Sequence, residues 1–129
     1  MRSAARLKIG YYPLPESEGV KLRSLLSFNG PASVIDPCAG QGTALNLVTR
    51  DAPVRRYGIE LDTKRARIAS CKGIETIHGN TFDAIANPES ISLLYLNPPY
   101  DSEIGSIGNR RREAVFLEHT YRWLRMEGV

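Results

Sequence analysis

Apolar residues recur with two different periods along this chain, and the switches between them mark its elements. Up to Pro15 there is no period. Gly10-Tyr11-Tyr12-Pro13-Leu14-Pro15 sets two prolines two residues apart, which a helix interior does not accept. A helix is predicted to start near Ser17, with Glu16 and Glu18 at its positive end and Leu22, Leu25 and Leu26 at i, i+3 and i+4. Asn29-Gly30-Pro31 ends it. Short β-branched or apolar runs then alternate with helical spacings. Strands are predicted at 33–35, 56–59, 75–78 and 91–96, and helices at 43–50, 63–71 and about 111–125. Thr63 is one candidate cap of the 63–71 helix. The run Ile91-Ser92-Leu93-Leu94-Tyr95-Leu96 is almost continuously apolar, as suits a strand buried on both faces of a parallel sheet. In the last helix Ala114, Leu117, Tyr121 and Leu124 form one apolar stripe.

Strands alternating with helices predict an α/β doubly wound sheet. No repeat, low-complexity tract or internal boundary interrupts the chain, so residues 1–129 read as a single domain. Its end, Met126-Glu127-Gly128-Val129, reads as a helix stopping at a glycine with a new strand about to begin. A sheet finishing at the 91–96 run would leave that strand with a bare edge, an aggregation liability. The expectation is therefore the N-terminal portion of a longer domain, with the bare edge a surface through which two copies could pair.

Composition narrows the classes. No apolar run of about 18 residues occurs, so no membrane span is expected. Met1-Arg2-Ser3-Ala4-Ala5-Arg6 is not followed by the apolar core of a secretory signal. Cys38 and Cys71 lack a CxxC or a matching His pair, which predicts reduced thiols in a cytoplasmic protein. A net charge of +3 and a pI near 9.0 are compatible with a nucleic-acid partner.

Three constellations carry chemistry. In Val34-Ile35-Asp36-Pro37-Cys38-Ala39-Gly40-Gln41-Gly42-Thr43 an acid ends a strand and a glycine-rich turn opens a helix, at the sheet edge where α/β proteins bind ligands. A dinucleotide fingerprint counted from Gly40 needs a small third position, and Leu45 stands there. Asp36 would repel a pyrophosphate but accept from an amino group, so the ligand is cationic at one end. In Tyr57-Gly58-Ile59-Glu60-Leu61-Asp62, Glu60 ends the next strand, where a carboxylate can accept from both hydroxyls of a ribose. Asp62, just before the helix, reads as a cap. In Leu96-Asn97-Pro98-Pro99-Tyr100 two prolines remove N–H donors and leave the Asn97 side-chain oxygen and Pro98 carbonyl as acceptors beside an aromatic ring. Two acceptors drawing on the hydrogens of a planar amine favour a pyramidal, nucleophilic nitrogen. A tyrosine can hold the attached ring by stacking.

In this order and spacing, Asp36-Pro37-Cys38-Ala39-Gly40-Gln41-Gly42, Gly58-Ile59-Glu60-Leu61-Asp62 and Asn97-Pro98-Pro99-Tyr100 resemble the class I S-adenosylmethionine-dependent N6-adenine methyltransferases. The resemblance spans residues 10–100, and the Asn-Pro-Pro-Tyr tetrad is its specific part. It implies a Rossmann-like class I methyltransferase fold with a mostly parallel sheet and flanking helices, of which this chain supplies about four of seven strands. It also implies S-adenosyl-L-methionine as cofactor and the N6 amine of adenine in DNA as acceptor. Asn97, Pro98, Pro99 and Tyr100 would serve catalysis. Asp36, Pro37, Ala39, Gly40, Gly42 and Thr43 would hold the methionine part, Glu60 the ribose, and Leu61 the adenine surroundings. Tyr11, Tyr12 and Pro13 look like the segment that closes over the cofactor in that family. Members often carry an aspartate after the third strand. Here Gly79-Asn80-Thr81-Phe82-Asp83 offers Asn80 as the favoured partner of the adenine amine, with Asp83 as the alternative, Thr81 beside it and Phe82 packing on the ring.

The tetrad also occurs in enzymes that methylate rRNA bases or a protein glutamine, and a non-catalytic cofactor-binding fragment is a further alternative. The basic balance and Arg110-Arg111-Arg112, after a glycine-containing loop, favour a nucleic acid, DNA before RNA. A glutamine enzyme would carry a separate helical N-terminal domain for which this chain has no room. His78 and His119 have no partners at metal or catalytic spacing and read as structural, and Cys38 lacks a base that would activate it.

Overall fold

The computed structural model describes residues 13–98 and 112–129. Four strands form one parallel sheet in the order β3-β2-β1-β4: β1 is Ala32–Asp36, β2 Val54–Glu60, β3 Glu75–His78 and β4 Leu93–Leu94. The helices are α1 Glu16–Leu25, α2 Thr43–Val48, α3 Thr63–Cys71 and α4 Arg112–Thr120, with short 3-10 turns at Thr81–Asp83 and Tyr121–Trp123. This is the Rossmann-like arrangement. Successive residues of β1 show its two layers. Val34 enters a cluster with Leu45, Val48, Ala69, Ile74 and Leu93 under α2 and α3. Ile35 enters another with Ile59, Ile91 and Trp123. The alternation of side chains along a strand puts one apolar layer on each face.

The strand order reverses at β1, which runs to β2 and β3 on one side and to β4 on the other. The carboxyl ends of β1 and β4 therefore flank the crevice where sheets of this type bind ligands. The β1–β4 ladder is short, pairing Val34 with Leu93 and Ile35 with Leu94, yet Tyr95 N–H still donates to the Ile35 carbonyl at 2.9 Å. The next residues, Leu96, Asn97 and Pro98, thus emerge at the same sheet edge as Asp36.

Three expectations need correction. The first is the apolar stripe of the last helix. Ala114 is exposed, and Leu117 and Tyr121 are about half exposed, at 49% and 53%. The buried face is Phe116, Thr120 and Trp123. Both sets have helical spacing, and the aromatic set wins because Phe and Trp bury far more area. Thr120 joins that face at little cost because its hydroxyl donates to the Phe116 carbonyl at 2.8 Å.

The second concerns α1, where Leu22 and Leu25 are exposed. The helix docks through Gly19 instead. A Cβ there would lie 2.1 Å from Leu47 Cδ2, so only glycine lets α1 approach α2 this closely.

The third concerns the bare edge. The outer side of residues 91–94 is taken by the chain's own last residues. Ile91 bridges Leu124 in parallel, Ile91 N–H donates to Trp123 O at 2.8 Å and Leu94 N–H to Val129 O at 2.7 Å. Arg125 N–H and Val129 N–H donate back to Ile91 O and Ser92 O at 2.9 and 3.0 Å.

Candidate active site

The turn after β1 is built from backbone. Gly40 and Gly42 have φ of 57° and 81°, the left-handed region that side chains avoid. Ala39 N–H donates to the Ile59 carbonyl at 2.9 Å and Gly42 N–H to Ala39 O at 2.9 Å, which ties the turn to β2. A Cβ on Gly58 would lie 2.8 Å from Ala39 Cβ and one on Gly42 2.4 Å from Ile74 Cδ1. Both glycines are therefore steric requirements for the turn to sit on the sheet. Asp36, at the root of the turn, is 2% exposed and accepts from Cys38 N–H at 2.9 Å. Burial is the main cause that pushes its carboxyl up to about 7, the Cys38 N–H opposes this, and nearby Glu60 adds to it. Pro37 is fully buried, and its carbonyl accepts from the hydroxyl of Thr81, itself buried.

The turn after β2 is built from side chains. Glu60, 6% exposed, accepts from Asp62 N–H at Oε2 (2.8 Å) and from Arg65 at both oxygens (Nε to Oε1, 3.2 Å; Nη2 to Oε2, 3.4 Å). Asp62, not Thr63, caps α3, accepting from Arg65 N–H at 2.9 Å. That bond is the largest cause holding the Asp62 carboxyl below the ordinary range. Leu61 projects into solvent at the tip. His78 Nε2 lies 3.1 Å from the Leu61 carbonyl and 3.2 Å from Thr63 Oγ1, so this histidine steadies the turn.

After β3 the side chain of Asn80 caps the 3-10 turn, accepting from Phe82 N–H at 3.0 Å, while the residue stays exposed. The same oxygen keeps a second lone pair for a further donor. Thr81 faces inward, and its hydroxyl donates to the Pro37 carbonyl. Phe82 rests against Phe116, with centroids 4.7 Å apart, and against the edge of His119 at 5.4 Å. His119 in turn packs on Trp123 and reaches the Ala84 carbonyl at 3.1 Å. Asp83 is exposed.

The structure brings Asp36, Pro37, Ala39, Gly40, Gly42, Glu60, Leu61, Asn80 and Thr81 to the carboxyl ends of three neighbouring strands, with Asn97 and Pro98 following β4. Thr43 opens α2 and accepts from Lys72 Nζ at 2.9 Å. Pro13 is exposed ahead of α1. Tyr11, Tyr12, Pro99, Tyr100 and the loop with Arg110 and Arg111 lie outside the described residues. Among the described residues no cluster of metal-ligating side chains occurs, and no helix is long and apolar enough to cross a membrane. The sequence reading passed over Arg65. A cation in the first turn of a helix, against the helix dipole and three residues after the capping acid, was the signal for it.

The donor set fits S-adenosylmethionine. A buried carboxylate stands at a left-handed glycine turn, ready for an ammonium group. A second one ends the next strand, and its two oxygens receive three donors where about four lone-pair sites exist, leaving room for a hydroxyl. Leu61, next to Glu60, exposes an apolar side chain at the tip of the same turn.

Known proteins share this fold. Residues 1–129 match DUF6094, described as an uncharacterised methyltransferase family. A 4-amino-L-phenylalanine/4-methylamino-L-phenylalanine methyltransferase of Streptomyces pristinaespiralis is 33% identical over 124 residues, covering 84% of this chain. The chain spans 40% of that relative's length. Among solved structures, a Listeria monocytogenes protein assigned to the class I S-adenosylmethionine-dependent methyltransferases superposes with a TM-score of 0.75 at 16% identity, over 93% of this chain and 45% of that one. A Geobacter sulfurreducens S-adenosylmethionine-dependent methyltransferase, solved with S-adenosyl-L-homocysteine, gives 0.65 at 20% identity, over 98% and 49%.

Proposed function

From the premise that this chain belongs to the methyltransferase family DUF6094, we propose that it binds S-adenosylmethionine and methylates the exocyclic N6 amine of adenine in DNA. The observation that carries the reading is the pairing of two strand ends across the switch point, Asp36-Pro37 after β1 and Asn97-Pro98 after β4. When bound, S-adenosylmethionine supplies an electrophilic methyl group that the amine nitrogen takes up, releasing S-adenosylhomocysteine. Asp36 holds the ammonium of the donor's methionine part in its ionised form. Glu60 accepts from a ribose hydroxyl, Leu61 covers the adenine, and the second lone pair of the Asn80 oxygen takes its amine. Asn97 and the Pro98 carbonyl accept the two amine hydrogens of the acceptor and turn its lone pair toward the methyl group. The contribution is chiefly one of proximity and orientation.

A second reading has a specific observation behind it. The Streptomyces relative acts, by its description, on the amino group of 4-amino-L-phenylalanine. Aniline and adenine amines are both delocalised into a ring, so one acceptor pair suits either. The positive net charge favours DNA. Calorimetric titration with S-adenosylmethionine, followed by labelled methyl transfer to adenine-containing DNA, RNA and 4-amino-L-phenylalanine, tests both. Label in DNA adenine supports the first reading, label in the amino acid replaces it with the second, and a folded chain that binds no donor removes both.

A further inference from the structure

We propose that Arg65 is the positioning residue for ribose recognition. The inference rests on the donor reading above and adds a residue to it. Glu60, Asp62 and Arg65 form a closed ring within six residues. Glu60 accepts from the Asp62 N–H, Asp62 accepts from the Arg65 N–H, and the Arg65 guanidinium returns to both oxygens of Glu60. An ordinary capping box puts Glu or Gln at the third helical position, and that side chain serves the N–H of the cap residue. Here the third position is Arg65, and the N–H of the cap residue is served by Glu60, at the strand end. The box has been turned around, so that its acid lies on the strand, at the edge where ligands bind.

This arrangement works against local preference. α3 has no acid in its first turn and carries Lys64 and Arg65 there, opposed by the helix dipole. A cation at that position is unfavourable unless something else holds it, and Glu60 does. The side chains of Arg65 and Glu60 are 14% and 7% exposed, so the pair is shielded from the water that weakens surface ion pairs. A buried carboxylate without a countercharge is costly, and Glu60 has a second one, Asp36, on the neighbouring strand. Arg65 supplies that countercharge. Its planar fork also fixes the carboxylate plane, as a lysine ammonium cannot. The 2′-hydroxyl of a ribose holds a fixed place on the ring, so recognising it needs a carboxylate held in one orientation. Asp62 N–H and Arg65 provide the hold and leave one lone-pair site over.

The test is calorimetric titration of the whole chain with S-adenosylhomocysteine and with its 2′-deoxyribose counterpart. The wild type should prefer the first, which alone offers a 2′-hydroxyl to the remaining site on Glu60. Arg65→Met should weaken S-adenosylhomocysteine binding roughly 10-fold or more, the scale of one charge-assisted hydrogen bond, and bring the two ligands to nearly equal affinity. Arg65→Lys should recover the charge but not the full preference. Equal weakening of both ligands by Arg65→Met would mark a purely structural role, and unchanged affinity for both would mark none; either overturns the proposal. If circular dichroism shows Arg65→Met unfolded, Arg65→Lys decides: full retention of the ribose preference overturns the proposal and partial loss supports it. A folded wild type that binds neither ligand sinks the donor reading itself, a result distinct from every outcome in the variants.

Discussion

Two turns leave neighbouring strands of this sheet, and each ends a strand with a buried acid, yet they are built by opposite means. The turn after β1 is held by backbone: left-handed glycines, an N–H returned to β2, and clearances too small for a methyl group. The turn after β2 is held by side chains, with Asp62 and Arg65 closing on Glu60. The acids differ accordingly. Asp36 is buried with a backbone N–H for company and its carboxyl rises to about 7. Glu60 sits in an ion pair. One turn is shaped by steric clearances, with its acid bonded to a backbone N–H. The other orients its acid before anything arrives. A site assembled this way can fail through shape at one end and through charge at the other.

Mutations can pull the two apart. The largest effect should come from Gly42→Val. Its side chain needs the space of Ile74 Cδ1, 2.4 Å from a Cβ, at a φ of 81° that valine does not adopt. A loss of about 3 kcal/mol or more in a urea titration is expected, together with loss of donor binding. Wild-type stability would mean that the turn is not sterically determined.

Next is Asp36→Asn, which keeps an acceptor for Cys38 N–H but removes the charge. Donor affinity should fall about 10- to 100-fold in calorimetry. Stability should change the other way. The folded chain retains a proton on Asp36 up to about pH 7, whereas the exposed group loses it near 3.8. The wild type therefore loses stability as pH rises through that window, and the amide variant is relieved of that loss. Melting temperatures at pH 5 and pH 8 should show the variant gaining on the wild type at pH 8; a constant difference would refute the assignment.

The same proton predicts the pH dependence of the wild type. Below about pH 7 the donor must displace it. Affinity should drop by up to about tenfold per pH unit on the acid side, and Asp36→Asn should abolish that slope. Smallest is Asp62→Ala, which removes the cap of α3 and should cost about 1 kcal/mol in thermal or urea unfolding. Donor binding should weaken less than for Asp36→Asn, because Arg65 still reaches Glu60.

Much of this was legible in the sequence, and the reasons can be named. Val34-Ile35 before Asp36-Pro37 and the Gly40/Gly42 pair gave away a strand and its turn, because short β-branched runs and glycines answer to local sterics. Cap and strand end at Asp62 and Glu60 were legible for the same reason. What depended on distant partners was not. The burying face of α4 was decided by Phe82 and the layer around Trp123, which select Phe116 over Leu117. Gly19 gives no periodic signal, yet α1 docks through it. The bond from Thr81 to the carbonyl of Pro37, 44 positions away, likewise had no local signal. The role of Arg65 was hidden because an arginine among other cations at a helix start, beside Lys64 and Arg67, is ordinarily read as solvated.

The covered edge of β4 bears on how copies of this chain could meet. Along 91–94 the outer hydrogen bonds are already made by Leu124–Val129 and Trp123. A second chain pairing there cannot simply add a strand. It must evict those residues and install its own equivalents, so that the two copies trade segments. Association along this edge would thus be domain exchange, slow to begin because a native segment has to peel away, and slow to reverse for the same reason.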